Sequence, residues 1–198
     1  GDAMSQQPTF FSLWIGNNDV LGYSSSGGDG TNPITPAQTF KDAYSALVNT
    51  LTSGGAKGVV ANIPNVTSIP FFKTVPYNPV PLDAASVSQL NSQVFGPLKQ
   101  ILTASGDGAR FSLLTTSNNP LLIKDESLTN RQVQITQGLA GAGVPVQQAA
   151  LMGAVFGQAR HATAADLVLL TTSSVIGTPP SSPYAIAPFN KYGVTFPL

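Results

Sequence analysis

The chain has no cysteine, which rules out a disulfide framework, a thiolate nucleophile and cysteine-based metal ligation. Charge is almost as scarce. Only 9% of the 198 residues are charged, nine basic against nine acidic, where an average protein carries about 25%. Such a sequence lacks the basic footprint that nucleic acid or an anionic membrane surface would need. With a single histidine and scattered carboxylates, no metal site is expected. No apolar run reaches the roughly 18 residues of a membrane-spanning helix, and no basic-then-apolar signal segment opens the chain. The glycines of GLAGAG, 138–143, have the wrong spacing for a dinucleotide fingerprint, so no cofactor is expected.

What is present suffices for folding. Apolar residues make up 42% of the chain, well away from the low-hydrophobicity signature of disorder. The length fits one α/β domain spanning 1–198, since domains usually hold about 100 to 200 residues. Solubility falls to Ser, Thr, Asn and Gln, a style common among exported bacterial proteins.

Residues 8–15 (PTFFSLWI) form a compact apolar run ended by Gly16, Asn17 and Asn18, which reads as a buried strand entering a polar loop. Residues 22–32 (GYSSSGGDGTN) read as a glycine-rich loop. A helix follows, with Thr35 as N-cap, Pro36 at the first position and Phe40, Tyr44, Leu47, Val48 and Leu51 on one face. Gly54 and Gly55 should stop it. GVVANI, 58–63, closed by Pro64, reads as a second buried strand, so strand, helix and strand make a parallel βαβ unit.

Residues 70–82 contain four prolines and exclude regular helix, leaving an exposed aromatic lid or pocket wall carrying Phe71 and Phe72. Covering a sheet edge is the plainer role for the same two rings. From Asp83 a helical face runs through Val87, Leu90, Val94, Leu98, Ile101 and Leu102, with a kink expected at Gly96-Pro97. RFSLLTT, 110–116, is a third strand candidate, and 129–160 reads as two helices broken at 141–145. Beyond Gly177 the chain is proline-rich and irregular.

The sharpest local feature is Gly16-Asn17-Asn18-Asp19 directly after a strand. In open parallel sheets ligands bind beyond the carboxyl ends of the strands. An asparagine amide there is a neutral, fixed donor suited to a developing oxyanion. Gly-Asn-Asn-Asp is also ordinary turn chemistry.

The segment WIGNNDV, 14–20, resembles block III (Gly-x-Asn-Asp) of the SGNH or GDSL hydrolases, and GAKGVVANIP, 55–64, is similar to the segment that follows it by one helix. The extended match through VVANIPNVTSIPFF, to about residue 72, looks like GDSL-lipase-like proteins of Bacteroidetes. The resemblance implies a three-layer, flavodoxin-like parallel sheet, here incomplete. It also implies hydrolysis of a carboxylic ester, a lipid or an acetylated glycan, through a serine acyl intermediate. Gly16 would let the backbone approach closely, Asn18 would donate to the oxyanion and Asp19 would brace the loop. An extracytoplasmic location is implied, with any signal or anchor upstream of Gly1.

The sequence departs from that pattern. It has no Gly-Asp-Ser-Leu and no Gly-x-Ser-x-Gly elbow. Its one histidine, His161, lacks an aspartate three residues earlier, Asp166 coming after it instead. His161 therefore reads as a helix-terminal or surface histidine, and Ser24, Ser25 and Ser26 as loop serines. The chain is expected to supply the oxyanion asparagine while the nucleophile lies elsewhere in a parent protein. A missing central strand would leave sheet edges open to a second copy. The alternatives are a non-catalytic binding domain on the same scaffold, or a self-sufficient hydrolase pairing a loop serine with His161.

Overall fold

The computed structural model describes residues 2–28, 30–174 and 176; the irregular tail expected beyond Gly177, and Asp29, lie outside the described residues. Within the expected length of one domain, the chain divides into two compact units, Gly1–Lys73 and Thr74–Leu198. Both helices and strands are present, so the protein is mixed α/β.

The first unit opens with a short helix, α1 (Asp2–Ser5), followed by β1 (Phe10–Leu13), α2 (Asn17–Ser25), α3 (Ala37–Thr52) and β2 (Lys57–Val60). The strands pair in parallel, from Phe10 opposite Lys57 to Leu13 opposite Val60, so the strand–helix–strand unit read from the sequence forms. The apolar spacing in α3 stacks Phe40 on Tyr44, one turn apart, with ring centroids 5.7 Å apart. Gly55, with φ of 82°, follows its end.

Three local expectations need correction. The supposed buried strands are exposed: Phe10 is 61% and Val59 58% accessible, and no residue of β2 is buried. A continuous apolar run marks a strand suited to cover on both faces, but it does not supply the cover. Next, the polar loop expected after the strand and the start of the loop expected over 22–32 are helix α2 instead, which the polar, glycine-containing composition disguised. Finally, Thr35 does not cap α3; Pro36 occupies the N-cap position, without a side-chain bond, and the Thr35 hydroxyl is used elsewhere.

The second unit holds the core. Asp83 caps α4 (Ala84–Leu90), its carboxylate accepting from the Ser86 N–H at 2.7 Å. A π-helical turn over Asn91–Phe95 then leads into α5 (Gly96–Thr103). The kink expected at Gly96-Pro97 is thus met by an inserted residue in the helix rather than by a break. A short turn, β3 (Leu122–Lys124), α6 (Gln132–Gly141), α7 (Val146–Phe156) and β4 (Ala159–His161) complete the regular elements before a 3-10 turn at Leu170–Ser174. The break at 141–145 falls as expected between α6 and α7.

Residues 110–116 are not a strand. Arg110 closes a 3-10 turn, and the extended backbone after it is held by side chains instead of a neighbouring strand. The Ser112 N–H donates to His161 Nδ1 at 3.0 Å, and Leu114 exchanges two bonds with the Asn91 amide, each 2.8 Å. The sheet here is the antiparallel pair β3–β4, Leu122 opposite His161. Both strands have three residues, too few for periodicity to reveal. Phe95, Phe111 and Phe156 pack around one another at centroid distances of 5.7 to 6.4 Å, within favourable aromatic geometry. No three-layer sheet is present among the described residues: the strands form two separate pairs.

Candidate functional site

The Gly-Asn-Asn-Asp segment sits where β1 gives way to α2. Gly16 adopts φ of 103°, in the range that disfavours side chains, and a Cβ there would lie 2.6 Å from Ile63 Cδ1 and 2.8 Å from Phe40 Cζ. Both backbone shape and space thus demand glycine. The neighbours that leave no room are side chains of α3 and of the chain following β2.

Asn17 and Asn18 separate at this point. The Oδ1 of Asn17 is buried and without a hydrogen-bond partner. Asn18 instead lines an open cavity of about 320 Å³ with Asp19, Gly22, Tyr23, Thr31, Asn32, Pro33 and Thr35. Asp19 Oδ1 accepts from the Thr35 hydroxyl at 2.6 Å, tying the first turn of α2 to the entrance of α3. The Thr35 hydroxyl is thus spent on Asp19 rather than on a cap.

The loop between α2 and α3 folds back to form the other wall. The Gly28 N–H donates to the Tyr23 carbonyl at 3.0 Å, and Gly28 leaves room for the Tyr23 phenol, 3.0 Å from where a Cβ would be. Gly22 lies similarly close to Asn32. Sequence reasoning missed Tyr23, Thr31, Asn32 and Thr35 as wall residues. The run of small residues through 22–32 signalled a loop but not its direction.

The expected alternative participants have other places. Ser24, Ser25 and Ser26 belong to the end of α2, and their hydroxyls donate to the carbonyls of Val20, Gly22 and Tyr23 at 2.9 to 3.1 Å. Phe72 is buried and packs edge-on against Phe71 at 5.1 Å; neither ring lines the cavity around Asn18. The expected exposed lid is therefore corrected for Phe72: two 3-10 turns at 66–68 and 70–72 fold it inward.

His161 is neither helix-terminal nor on the surface. It lies on β4, 6% exposed, with its ring 4.6 Å from Phe95 and 5.5 Å from Phe111. Burial, aided by the Lys99 charge, pushes its pKa down to about 4. Nδ1 accepts the Ser112 N–H, and the Ser112 hydroxyl lies 3.0 Å from the same nitrogen. Nε2 is buried without a partner. Asp166 does not orient the ring; it binds Arg160 through two bonds of 2.8 Å, which draws its own pKa down to about 2. A desolvated imidazole with no carboxylate behind it is a weak base.

Among the described residues no cluster of three His, Asp or Glu forms a metal site, and no helix is long and apolar enough to cross a membrane. No family profile, curated protein or solved structure matches the chain.

Proposed function

We propose that this chain contributes the oxyanion-binding half of a serine ester hydrolase of SGNH type, with Asn18 as the side-chain donor. The observation that carries the reading is the division of labour at 16–19. Gly16 permits the tight entry, Asp19 is anchored to Thr35, and of the two asparagines it is Asn18 that faces a cavity. An asparagine amide is a neutral dipole whose N–H can donate to an oxyanion. It stabilises charge developing on a carbonyl oxygen. The resemblance of 14–20 and 55–64 to the family's segments supports the same assignment. The test is hydrolysis of short-chain nitrophenyl esters by the protein expressed from its complete reading frame. Asn18→Ala should lower kcat by about 10²–10³ with little change in KM, the loss expected for one oxyanion donor. An unaltered kcat would sink the assignment.

A second reading is favoured by a separate observation. The hydroxyls of Ser24, Ser25 and Ser26 are engaged within their own helix, and His161 has no carboxylate partner. The scaffold would then bind a ligand without cleaving it. Saturable ligand binding at the Asn18 cavity, with no hydrolysis by the protein from its complete reading frame, is the result that selects this reading.

A further inference from the structure

Asn18 is exposed, and among the described residues its side-chain amide has no hydrogen-bond partner. Where that amide can reach is therefore set by the backbone beneath it, the first turn of α2. Within that turn the Asp19 N–H donates to the Gly16 carbonyl at 3.1 Å. One side-chain bond among the described residues leads out of it: the half-buried Thr35 hydroxyl, 16 positions away in sequence, donates to Asp19 Oδ1 at 2.6 Å. We propose that Thr35 is a positioning residue for Asn18, its hydroxyl holding the turn where the amide meets the reacting oxygen.

Three features of Thr35 suit it to the role. It precedes Pro36, and a residue before proline is confined to extended backbone, so the hydroxyl projects from a chain with little freedom. Its β-branched side chain is stiff about χ1, which adds a second restriction. Its partner is a carboxylate, and 2.6 Å falls within the span of about 2.5–2.7 Å expected of an O–H···O⁻ bond. The chain then enters α3, where the Phe40 N–H donates to the Pro36 carbonyl at 3.0 Å and the Phe40 ring closes on Gly16. Asn17 and Asn18 thus lie between two fixed points, Gly16 against Phe40 and Asp19 against Thr35. Without the Thr35 hydroxyl the first point stays and the second is free to move. A donor helps only where charge develops, and a displacement of about 1 Å can cost about a hundredfold in rate. The inference rests on the oxyanion reading above and adds to it a residue that acts through another.

The test is a double-mutant cycle in nitrophenyl ester hydrolysis by the protein expressed from its complete reading frame. Thr35→Val removes the hydroxyl and keeps the shape, whereas Thr35→Ser keeps the hydroxyl. Thr35→Val should lower kcat about ten- to a hundredfold with KM little changed. Thr35→Ser, which loses only the stiffness at χ1, should stay within about threefold of the unaltered protein. Thr35→Ala repeats the cycle without a second methyl group beside Asp19, and amide NMR spectra verify that each variant is folded. The decisive arm combines Thr35→Val with Asn18→Ala. A residue acting through Asn18 adds nothing once the amide is gone, so the double variant should match Asn18→Ala alone. Full activity in both Thr35→Val and Thr35→Ala, or losses that multiply with that of Asn18→Ala, would overturn the inference and leave Asn18 as the donor. An unaltered kcat in Asn18→Ala alone would instead remove the oxyanion reading, and this inference with it.

Discussion

At the scale of single residues, two positions state most sharply what the fold demands. Gly16 combines a positive φ with a would-be Cβ only 2.6 Å from Ile63. An alanine there meets a backbone cost of about 1–2 kcal/mol and an overpacking cost of about 1–3 kcal/mol. Gly16→Ala should therefore destabilise the first unit by at least about 2 kcal/mol in urea denaturation and displace the amide signals of Asn18. His161 gives a pH signature. Its folded pKa of about 4 lies below its ordinary value of 6.5, so between these the unfolded chain takes up a proton that the folded chain refuses. Stability is thus full above pH 6.5 and falls as the pH drops toward 4, by on the order of 3 kcal/mol. His161→Gln should flatten that slope, measured as urea midpoints at pH 7 and pH 4.5. An equal slope in the variant would place the titration elsewhere. The sequence displayed Gly16 because a glycine between a strand and a polar segment marks a sharp change of chain direction. It concealed the surroundings of His161, which depend on Phe95 and Phe111 arriving from distant parts of the chain.

At the scale of elements, glycines in helices separate by what a methyl group would meet. A Cβ on Gly96 would lie 2.6 Å from the Asn91 carbonyl oxygen, inside the π-helical turn. Helix propensity favours alanine over glycine by about 1 kcal/mol, but the clash with backbone should exceed it, and Gly96→Ala should lower stability by about 1–2 kcal/mol. Gly141, at the end of α6, has nothing within 4 Å of the same position. Gly141→Ala should accordingly leave stability unchanged or raise it by up to about 1 kcal/mol. Opposite signs in parallel thermal melts are the expected outcome. The helix α3 and the helical stretch of α4 and α5 were legible because Phe40 to Leu51 and Val87 to Leu102 place apolar residues at helical spacing over several turns. The helix α2 was not, since Asn17, Asn18, Gly22 and the serines favour caps and turns on propensity alone. The strands β3 and β4 escaped because three residues hold no period.

At the scale of the molecule, buried apolar side chains are unevenly distributed. The continuous core, from Leu90 to Ala159, belongs wholly to the second unit. The first unit leaves Phe10, Trp14, Val59 and Val60 exposed, each forgoing part of the roughly 1.5–3 kcal/mol that full burial of such a side chain provides. Hydrogen exchange should therefore be slow at Leu98, Leu102, Ile135 and Leu139 and orders of magnitude faster along β1 and β2. Comparable protection in both units would mean that the exposed strands are covered in solution. The sequence announced these strands as buried because apolar runs report what a strand requires, and not whether the requirement is met. Its parallel pairing, by contrast, follows from chain topology and was legible.

The central claim, that Asn18 is poised to stabilise charge on a reacting oxygen, is tested most directly by the rate of covalent labelling with a fluorophosphonate. Attack on phosphorus develops negative charge on the phosphonyl oxygen, where an oxyanion donor acts. The protein expressed from its complete reading frame should take up one adduct per chain, and Asn18→Ala should slow that labelling by about 10²–10³. Labelling at an undiminished rate in Asn18→Ala, or an adduct on Ser112, would contradict it.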